Sequence, residues 1–552
     1  MTTVASPIEQ ALGGSPAAVD GFRCPPDLPQ ESSQAVLERS LATVRRLRDE
    51  QRLYDAHGKV APEVLAALAR DGYWGLRIPR AYGGSELPWR SFYPFLSQLA
   101  AVSATVAGLA SVHGCIGAGG ALTAFGTEQQ RRRWLPELAR GERWTAFALT
   151  EPQAGSDLTA LRTRAVRQGD SYEIWGEKVF ISNLDLGRTI VLICQIAAEP
   201  AALICELPTV EDATFRLRDY GLHALRRSGN RGAEFRGLRV PVEARLQPPR
   251  GNGLTVAYHG LNRGRVAVCA VAAGQLRALL GSLIPWVTHR ATYGAPLAER
   301  ELVQRRLARL AALIVGCDSL SAWCGGLLDA GVRGEMECTT AKVFGSEALK
   351  EAAIELAMKT HGGRAFLRGH LWGDNLHDYL TPCIYEGEGE LLSLAMFRPL
   401  AKAVQSPSGS TSASILWAGE TPAIEGELAA PVAEAWQALA AIRSELSEFL
   451  RSAGEAAIER QCQVVDLVQR VQKLVTLLVV AHAAGTATAE IERQAALVLV
   501  HDLAREVAGR RAGPSDWARA TRLGAALAAG GWQHWIADPL PPLLHPGGGH
   551  SC

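Results

Sequence analysis

The feature that most limits how this 552-residue chain can fold is a double change in hydrophobic period. Over residues 35–140 apolar residues recur at three- and four-residue spacings, as in VLERSLATVRRLRDEQRL and PEVLAALARDGYWGL, the period of a helix with one buried face. GTEQQRRRWLPELARGE adds a helix with Thr127 as its cap and Gly141 as its stop. Over about 144–242 the texture becomes β-branched and apolar alternation, in DSYEIWGEKVFISN, TIVLICQIAAEPAALICEL and AEFRGLRVP, broken by Gly-Asp, Glu-Pro and Gly turns. That pattern predicts a compact antiparallel β domain. Helical spacing returns over 253–402, now Ala-rich and apolar on more than one side, which predicts helices buried in a bundle.

The expected class is therefore α+β, mainly α. Residues 1–35, rich in Pro, Ser, Gly and Ala, read as a flexible tail, 36–140 as an N-terminal helical domain, 141–245 as a barrel-like β domain and 246–402 as the bundle domain. A polar linker follows over 403–423, marked by SPSGSTSAS, then an extra helical domain over 424–535 and a frayed tail over 536–552.

Charge and cysteine usage exclude several classes. Lys+Arg of 57 against Asp+Glu of 56 leaves a net charge of +1, so no broad field recruits nucleic acid or an anionic membrane. The 11 cysteines form no CxxC pair, which fits reduced thiols packed as small apolar groups. MTTVASPIEQALGG lacks a basic start followed by an apolar core, and no uninterrupted apolar run reaches the roughly 18 residues of a membrane span. LVTLLVVAHAAG, the longest candidate, reads as a buried helix, and the expected location is the cytoplasm.

Chemistry concentrates in a few stretches. TPCIYEGEGELL sets Glu386, Glu388 and Glu390 two apart between glycines, with Ile384 and Tyr385 before them and Leu391, Leu392 and Leu394 after. Turn carboxylates are ordinarily solvated, but these apolar flanks point to one carboxylate held beside a buried cavity. FALTEPQAGSDLTALRT offers hydroxyls, backbone N–H groups and Gly155 at a bend where a planar ligand can approach closely. Taken alone it is also an ordinary turn and cap. GEKVFISN adds an aromatic, Phe180, and a hydroxyl, Ser182, in the same small domain. His361, His370 and His377 lack a ligand pattern, so no metal site is expected, and Arg131 to Arg133 read as a solvated helix face.

In this order, T-E-P-x-x-G-S-D at 150–157, K-x-[WF]-I-[ST]-N at 178–183, R-x-T-[FY]-G at 290–294 and Y-E-G at 385–387 resemble the acyl-CoA dehydrogenase family, flavoproteins that oxidise acyl thioesters to enoyl thioesters. The resemblance covers about 36–400 and implies a helical domain, a β domain and a four-helix bundle domain. LNRGR at 261–265 and the extra helical region look most like the very-long-chain branch. Some relatives carry a basic Glu at the position held here by Gly264, so the resemblance assigns the base to Glu386.

It further implies FAD held by Phe147, Leu149, Thr150, Gly155, Ser156, Phe180 and Ser182. Arg290 and Thr292 would reach the pyrophosphate of a neighbouring subunit's FAD, which implies a homodimer. Lys359, Gly362 and Gly363 match the adenosine-side loop, and Glu388 and Glu390 the cofactor's edge. Ser156, Asn262, Arg265 and Glu386 match positions that contact the acyl-CoA, and electron transfer flavoprotein would be the acceptor. Phe180 for Trp, Lys359 for Gln, Glu388 for Thr and His377 for Arg depart from the family pattern and bear on FAD affinity, subunit packing and the preferred thioester. A dehydrogenase of carrier-protein-bound acyl groups and a catalytically inactive scaffold are the alternative readings, and the C-terminal helices leave peripheral membrane contact open.

Overall fold

The computed structural model describes residues 6–15, 18–24, 34–405 and 424–536. Most of the expected linker, and all but the first residue of the expected tail at 536–552, lie outside the described residues. Helices α1 (Pro7–Gly13) and α2 (Ala18–Gly21) come first, then α3 (Gln34–Asp49), α4 (Pro62–Asp71), α5 (Trp89–Ser111), α6 (Ala118–Phe125) and α7 (Glu128–Ala139). The strands are β1 (Thr145–Ala148), β2 (Arg164–Gln168), β3 (Ser171–Ile181), β4 (Thr189–Ile196), β5 (Glu199–Glu206), β6 (Phe215–Arg218), β7 (Arg231–Pro241) and β8 (Arg245–Leu246). Helices resume with α8 (Gly253–His289), α9 (Glu301–Asp329), α10 (Glu335–Glu351), the single turn α11 (Lys359–His361), α12 (Leu371–Leu380) and α13 (Gly389–Gln405). Beyond the linker lie α14 (Ala429–Ala453), α15 (Gln461–Thr486), α16 (Glu490–Val507) and α17 (Pro514–Ala528).

The described residues divide into two compact units, one between Leu28 and Ala267 and the other made of the chain start and everything from Val268 onward. In the first unit α7 starts where its residues dictate. Thr127 accepts from the Gln130 N–H at 3.2 Å and the Gln130 side chain accepts from the Thr127 N–H at 2.8 Å, a reciprocal cap that satisfies two orphan donors.

The sheet runs β6-β7-β3-β2-β4-β5-β8, with β1 on β4. It is not purely antiparallel as expected, because β1 and β2 both pair with β4 in parallel. β1 reaches β4 only after two intervening strands, so no hairpin forces the reversal. β4, TIVLICQI, is buried on both faces over most of its length, which is why it reads as a continuous apolar run. Val191 and Ile193 pack with Leu122, Leu135 and Leu138 of α6 and α7, while Ile190, Leu192 and Cys194 pack with Phe215 and Phe235.

In the second unit the expected loose tail is corrected over the residues described there. Ile8, Leu12 and Phe22 are fully buried, and the Trp323 indole donates to the Gly21 carbonyl at 2.7 Å. Phe22 stacks on Trp323 with ring centroids 5.9 Å apart and meets Trp436 edge-on at 5.6 Å. Helices this short show too little of their period to be seen in a Pro-, Ser- and Gly-rich background. The Glu337 carboxylate, fully buried on α10, accepts from Ser6 Oγ and from the Ile8 N–H at 3.4 Å, and burial pushes it up to about 7.

A carboxyl raised by folding favours the protonated native state. Its contribution is complete below the unfolded value near 4.5 and is lost as pH rises through about 7. Glu337→Gln keeps an acceptor for Ser6 and Ile8 without the charge. Denaturation curves should find the variant more stable than the parent at pH 8.5, by on the order of 2–3 kcal/mol, with the gain fading by pH 5.

The expectation that no stretch reaches membrane-spanning length is also corrected. Trp89–Phe125, Gly253–His289 and Glu301–Asp329 are long and apolar enough by length and composition, but 61%, 83% and 89% of their apolar windows are buried within the protein. Interspersed Gly, Ser, His and Arg interrupt the runs without lowering the mean, and burial against neighbouring elements accounts for the apolarity.

Candidate active site

The flavin-side residues of the resemblance begin where β1 ends. The Glu151 and Ala154 backbones exchange hydrogen bonds of 3.0 and 3.1 Å, closing the Thr-Glu-Pro turn. The Glu151 side chain then turns inward. It accepts from Lys178 Nζ at 2.7 Å and from the N–H groups of Arg162 at 2.7 Å and Thr163 at 3.1 Å. Lys178, on β3 and wholly buried, also donates to the Leu149 carbonyl at 2.7 Å. Burial alone would raise the Glu151 carboxyl, but Lys178 and these donors hold it below its usual range; burial lowers the Lys178 ammonium. The geometry is that of an ion pair with its remaining valences filled, and it fastens the turn to β3.

On β3 the Val179 N–H donates to the Thr150 carbonyl at 2.9 Å, which sets the turn beside the strand's end. There the β3–β7 register slips between Lys178 and Ile181, and Phe180 takes φ 58° and is 54% exposed. A bulge of this kind re-aims a side chain out of the sheet. The Phe180 ring lies 5.6 Å from that of Tyr220, and Ser182 Oγ accepts from Asn230 Nδ2 at 3.2 Å. Phe147 and Thr150 are half-buried and Leu149 is buried, whereas Gly155 and Ser156 face solvent. A Cβ on Gly155 would meet no atom within 4 Å, so the space over the turn is open. Asp157 has a local job, accepting from the Thr159 N–H at 2.9 Å and its hydroxyl at 2.6 Å. In the same unit, Asn262 and Arg265 are buried on α8, the Arg265 guanidinium donating to Asn262 Oδ1 at 3.1 Å.

The base belongs to the other unit. α12 runs into the tight turn Thr381–Cys383, and the chain reverses through Glu386 at φ 58° and Gly387 at φ 107°. A Cβ on Gly387 would fall 2.6 Å from the Leu392 side chain, so both space and φ demand glycine there. Glu386 has no such freedom, and a non-glycine residue held left-handed costs roughly 1–3 kcal/mol, a cost that clusters at functional positions.

The three carboxylates now separate. Glu388 Oε2 accepts from the N–H groups of Glu390 at 2.9 Å and Leu391 at 3.0 Å, capping α13. Its carboxylate is thus committed to a helix end, a role that the expectation at the cofactor's edge did not include. Glu390 is exposed on the first turn, and Glu386 is half-buried where the backbone is strained. Beside it, burial and the Glu386 charge drive the Tyr385 hydroxyl far above its usual range.

Arg290 follows α8 at the mouth of the hairpin Ala291–Thr292 and Ala295–Pro296 and is exposed. Arg300 closes that hairpin by donating to the carbonyls of Thr292 and Tyr293. Lys359 pairs with Glu355 at 2.5 Å on an exposed helix face, and Gly362 and Gly363 look onto open space. His361 and His370 are structural. The first hydrogen-bonds Ser282 Oγ at 3.1 Å and the second caps α12 by accepting from the Trp372 N–H at 3.1 Å. Burial pushes both down, to about 3 and about 4.

Within the first unit the donor set suits a flavin: an open, glycine-lined turn, hydroxyls at Thr150, Ser156 and Ser182, and an exposed aromatic. The Glu151–Lys178 pair and the Asn230–Ser182 bond were missed by sequence reasoning, which singled out Ser182 but saw no signal for its partner. Lys178 stood inside a quoted motif, and only its complete burial shows what it does.

Models of the acyl-CoA dehydrogenase N-terminal, middle and C-terminal domains match residues 31–142, 146–236 and 251–400. The chain is 29% identical over 344 residues to an acyl-CoA dehydrogenase of Bacillus subtilis, covering 61% of this chain and 89% of that protein. It is 30% identical over 356 residues to the mitochondrial very long-chain specific acyl-CoA dehydrogenase of Rattus norvegicus, covering 62% of this chain and 53%, about half, of that protein. The crystal structure of an acyl-CoA dehydrogenase complexed with FAD from Bacillus anthracis superposes with a TM-score of 0.75 at 20% identity, covering 94% of this chain and 97% of that one, so its fold extends through the extra C-terminal helices. On the three matched domains in their family order, the chain belongs to the acyl-CoA dehydrogenases, a family of FAD-dependent oxidoreductases.

Proposed function

We propose that this acyl-CoA dehydrogenase introduces the trans-2 double bond into a long-chain acyl-CoA, with Glu386 as the base. The observation that carries the assignment is the division of labour along the 386–390 turn: Glu388 caps α13, Glu390 faces solvent, and only Glu386 sits half-buried on strained backbone. The α C–H of a thioester is a weak acid, so a carboxylate beside it must take the proton while donors polarise the carbonyl. The Glu386 N–H is one such donor in this reading. Ile384 and Leu391 stand exposed beside this turn, and an acyl chain that covered them would exclude water and favour the proton on Glu386. Asn262 and Arg265 would hold the acyl-CoA, with Ser156 at the turn. FAD, when bound, supplies the acceptor for the hydride leaving the β carbon. Arg290, exposed at the end of α8, suits the phosphates of FAD on a second copy, which would make a homodimer the working unit. Electron transfer flavoprotein would reoxidise the enzyme in the cytoplasm.

Anaerobic titration of the FAD-loaded protein tests this. Palmitoyl-CoA should bleach the flavin absorbance within the mixing time of a manual experiment, and butyryl-CoA should not. Bleaching by short thioesters alone would overturn the chain length. Bleaching only by acyl groups loaded on a carrier protein would replace acyl-CoA with that alternative, and a protein that takes up no FAD would overturn the enzymatic reading.

A further inference from the structure

Beneath the Glu386 turn runs α10, and one of its residues is in an unusual situation. Lys342, midway along the helix, is 0% exposed. Its ammonium donates to two backbone carbonyls, that of Cys383 at 3.4 Å and that of Gly387, both outside α10. These carbonyls stand three residues before and one residue after Glu386. One helical turn along, the Ser346 carbonyl accepts from Cys383 Sγ at 3.4 Å, so the same face of α10 holds the turn a third time.

We infer that Lys342 is a positioning residue for the base: it clamps the backbone on both sides of Glu386 and so fixes where the carboxylate is presented. The inference rests on the reading of Glu386 as the base. Burying an ammonium costs several kcal/mol unless its donors are satisfied, and an aliphatic side chain would fill the same space at less cost. What the ammonium adds is a set of directed bonds to a segment that turns through positive φ at two successive residues, 58° at Glu386, where a side chain makes it strained, and 107° at Gly387, where glycine permits it. Backbone in such a conformation persists only where its surroundings over-determine it. A clamp on the carbonyls flanking the base restricts the peptides that orient it, without touching substrate.

The experiment compares Lys342→Met with the parent, both as full-length FAD-loaded protein, using palmitoyl-CoA under anaerobic stopped flow. The flavin spectrum and the concentration of thioester giving half-maximal reduction rate should stay within about threefold. The limiting rate of flavin reduction should fall about 100-fold, the loss expected when a reacting group moves by roughly 1 Å. A general loosening of the protein would instead weaken thioester binding and release flavin together with the rate. An unchanged limiting rate, or a loss shared equally by binding and rate, overturns the inference. Lys342→Arg, which restores a cation with several donors, should recover at least tenfold of the lost rate, and no recovery counts against the clamp. Should Lys342→Met fail to accumulate folded, Lys342→Gln decides by the same split, with an expected tenfold loss in limiting rate. Glu386→Gln run in parallel separates the two claims. If that variant still reduces normally, the base assignment falls, whereas if it is dead and Lys342→Met is normal, only the clamp falls.

Discussion

Glu386→Gln should leave a protein that is as yellow as the parent and that no acyl thioester can bleach. The amide matches the carboxylate in size, and the turn that carries it is held through backbone carbonyls and by the Glu388 cap, so neither folding nor flavin retention should change. What disappears is the proton acceptor. General-base catalysis contributes roughly 10²- to 10⁴-fold, and with no second carboxylate on this turn free to substitute, the loss should lie at the upper end of that range. Glu388 accepts two hydrogen bonds at the start of α13, so freeing it would uncap the helix, and Glu390 points to solvent. Single-turnover reduction by palmitoyl-CoA is the measurement. A variant reducing within tenfold of the parent sinks the assignment.

The second large effect concerns the β domain. Lys178→Met removes the cation from a pair in which the side chains of Lys178 and Glu151 are 0% and 1% exposed. Breaking a buried pair from one side costs about 3–5 kcal/mol, because the remaining charge has lost its compensation and cannot reach water. The Leu149 carbonyl loses its donor in the same step. Urea denaturation should report that loss, and the variant should shed flavin on gel filtration because the 149–156 turn loses its side-chain ties to β3 and keeps only the Val179–Thr150 backbone bond. Glu151→Gln combined with Lys178→Met should recover a good part of the stability, since no unpaired charge remains. A single variant within 1 kcal/mol of the parent would show that the pair does not hold the turn.

Features with a strong local cause were open to sequence reading. The helical period that stops before Trp144 and resumes after Gly253 brackets the sheet, and Thr127 with Gln130 marks the start of α7. The features that escaped depend on contacts distant in the chain. The parallel pairing of β1 with β4 leaves no trace in either strand's alternation. Glu151 looks like any turn residue until the sheet brings Lys178 against it, and Lys342 looks like one more helix-surface cation until the turn at 383–387 folds over it. Even within TPCIYEGEGELL, the residue pattern raised the question of which carboxylate matters without separating a helix cap from a base. That separation lies in backbone angles and hydrogen bonds, which the spacing of three glutamates does not encode.

The seating of α1 and α2 has a consequence for synthesis. Gly21 is fastened to Trp323, 302 positions later, so α1 and α2, once synthesised, have nowhere to bind until those 302 residues have followed them. At 5–20 residues per second the wait is roughly 15 to 60 s, long enough for the sheet to form and for Phe22 to meet a chaperone before it meets its own pocket.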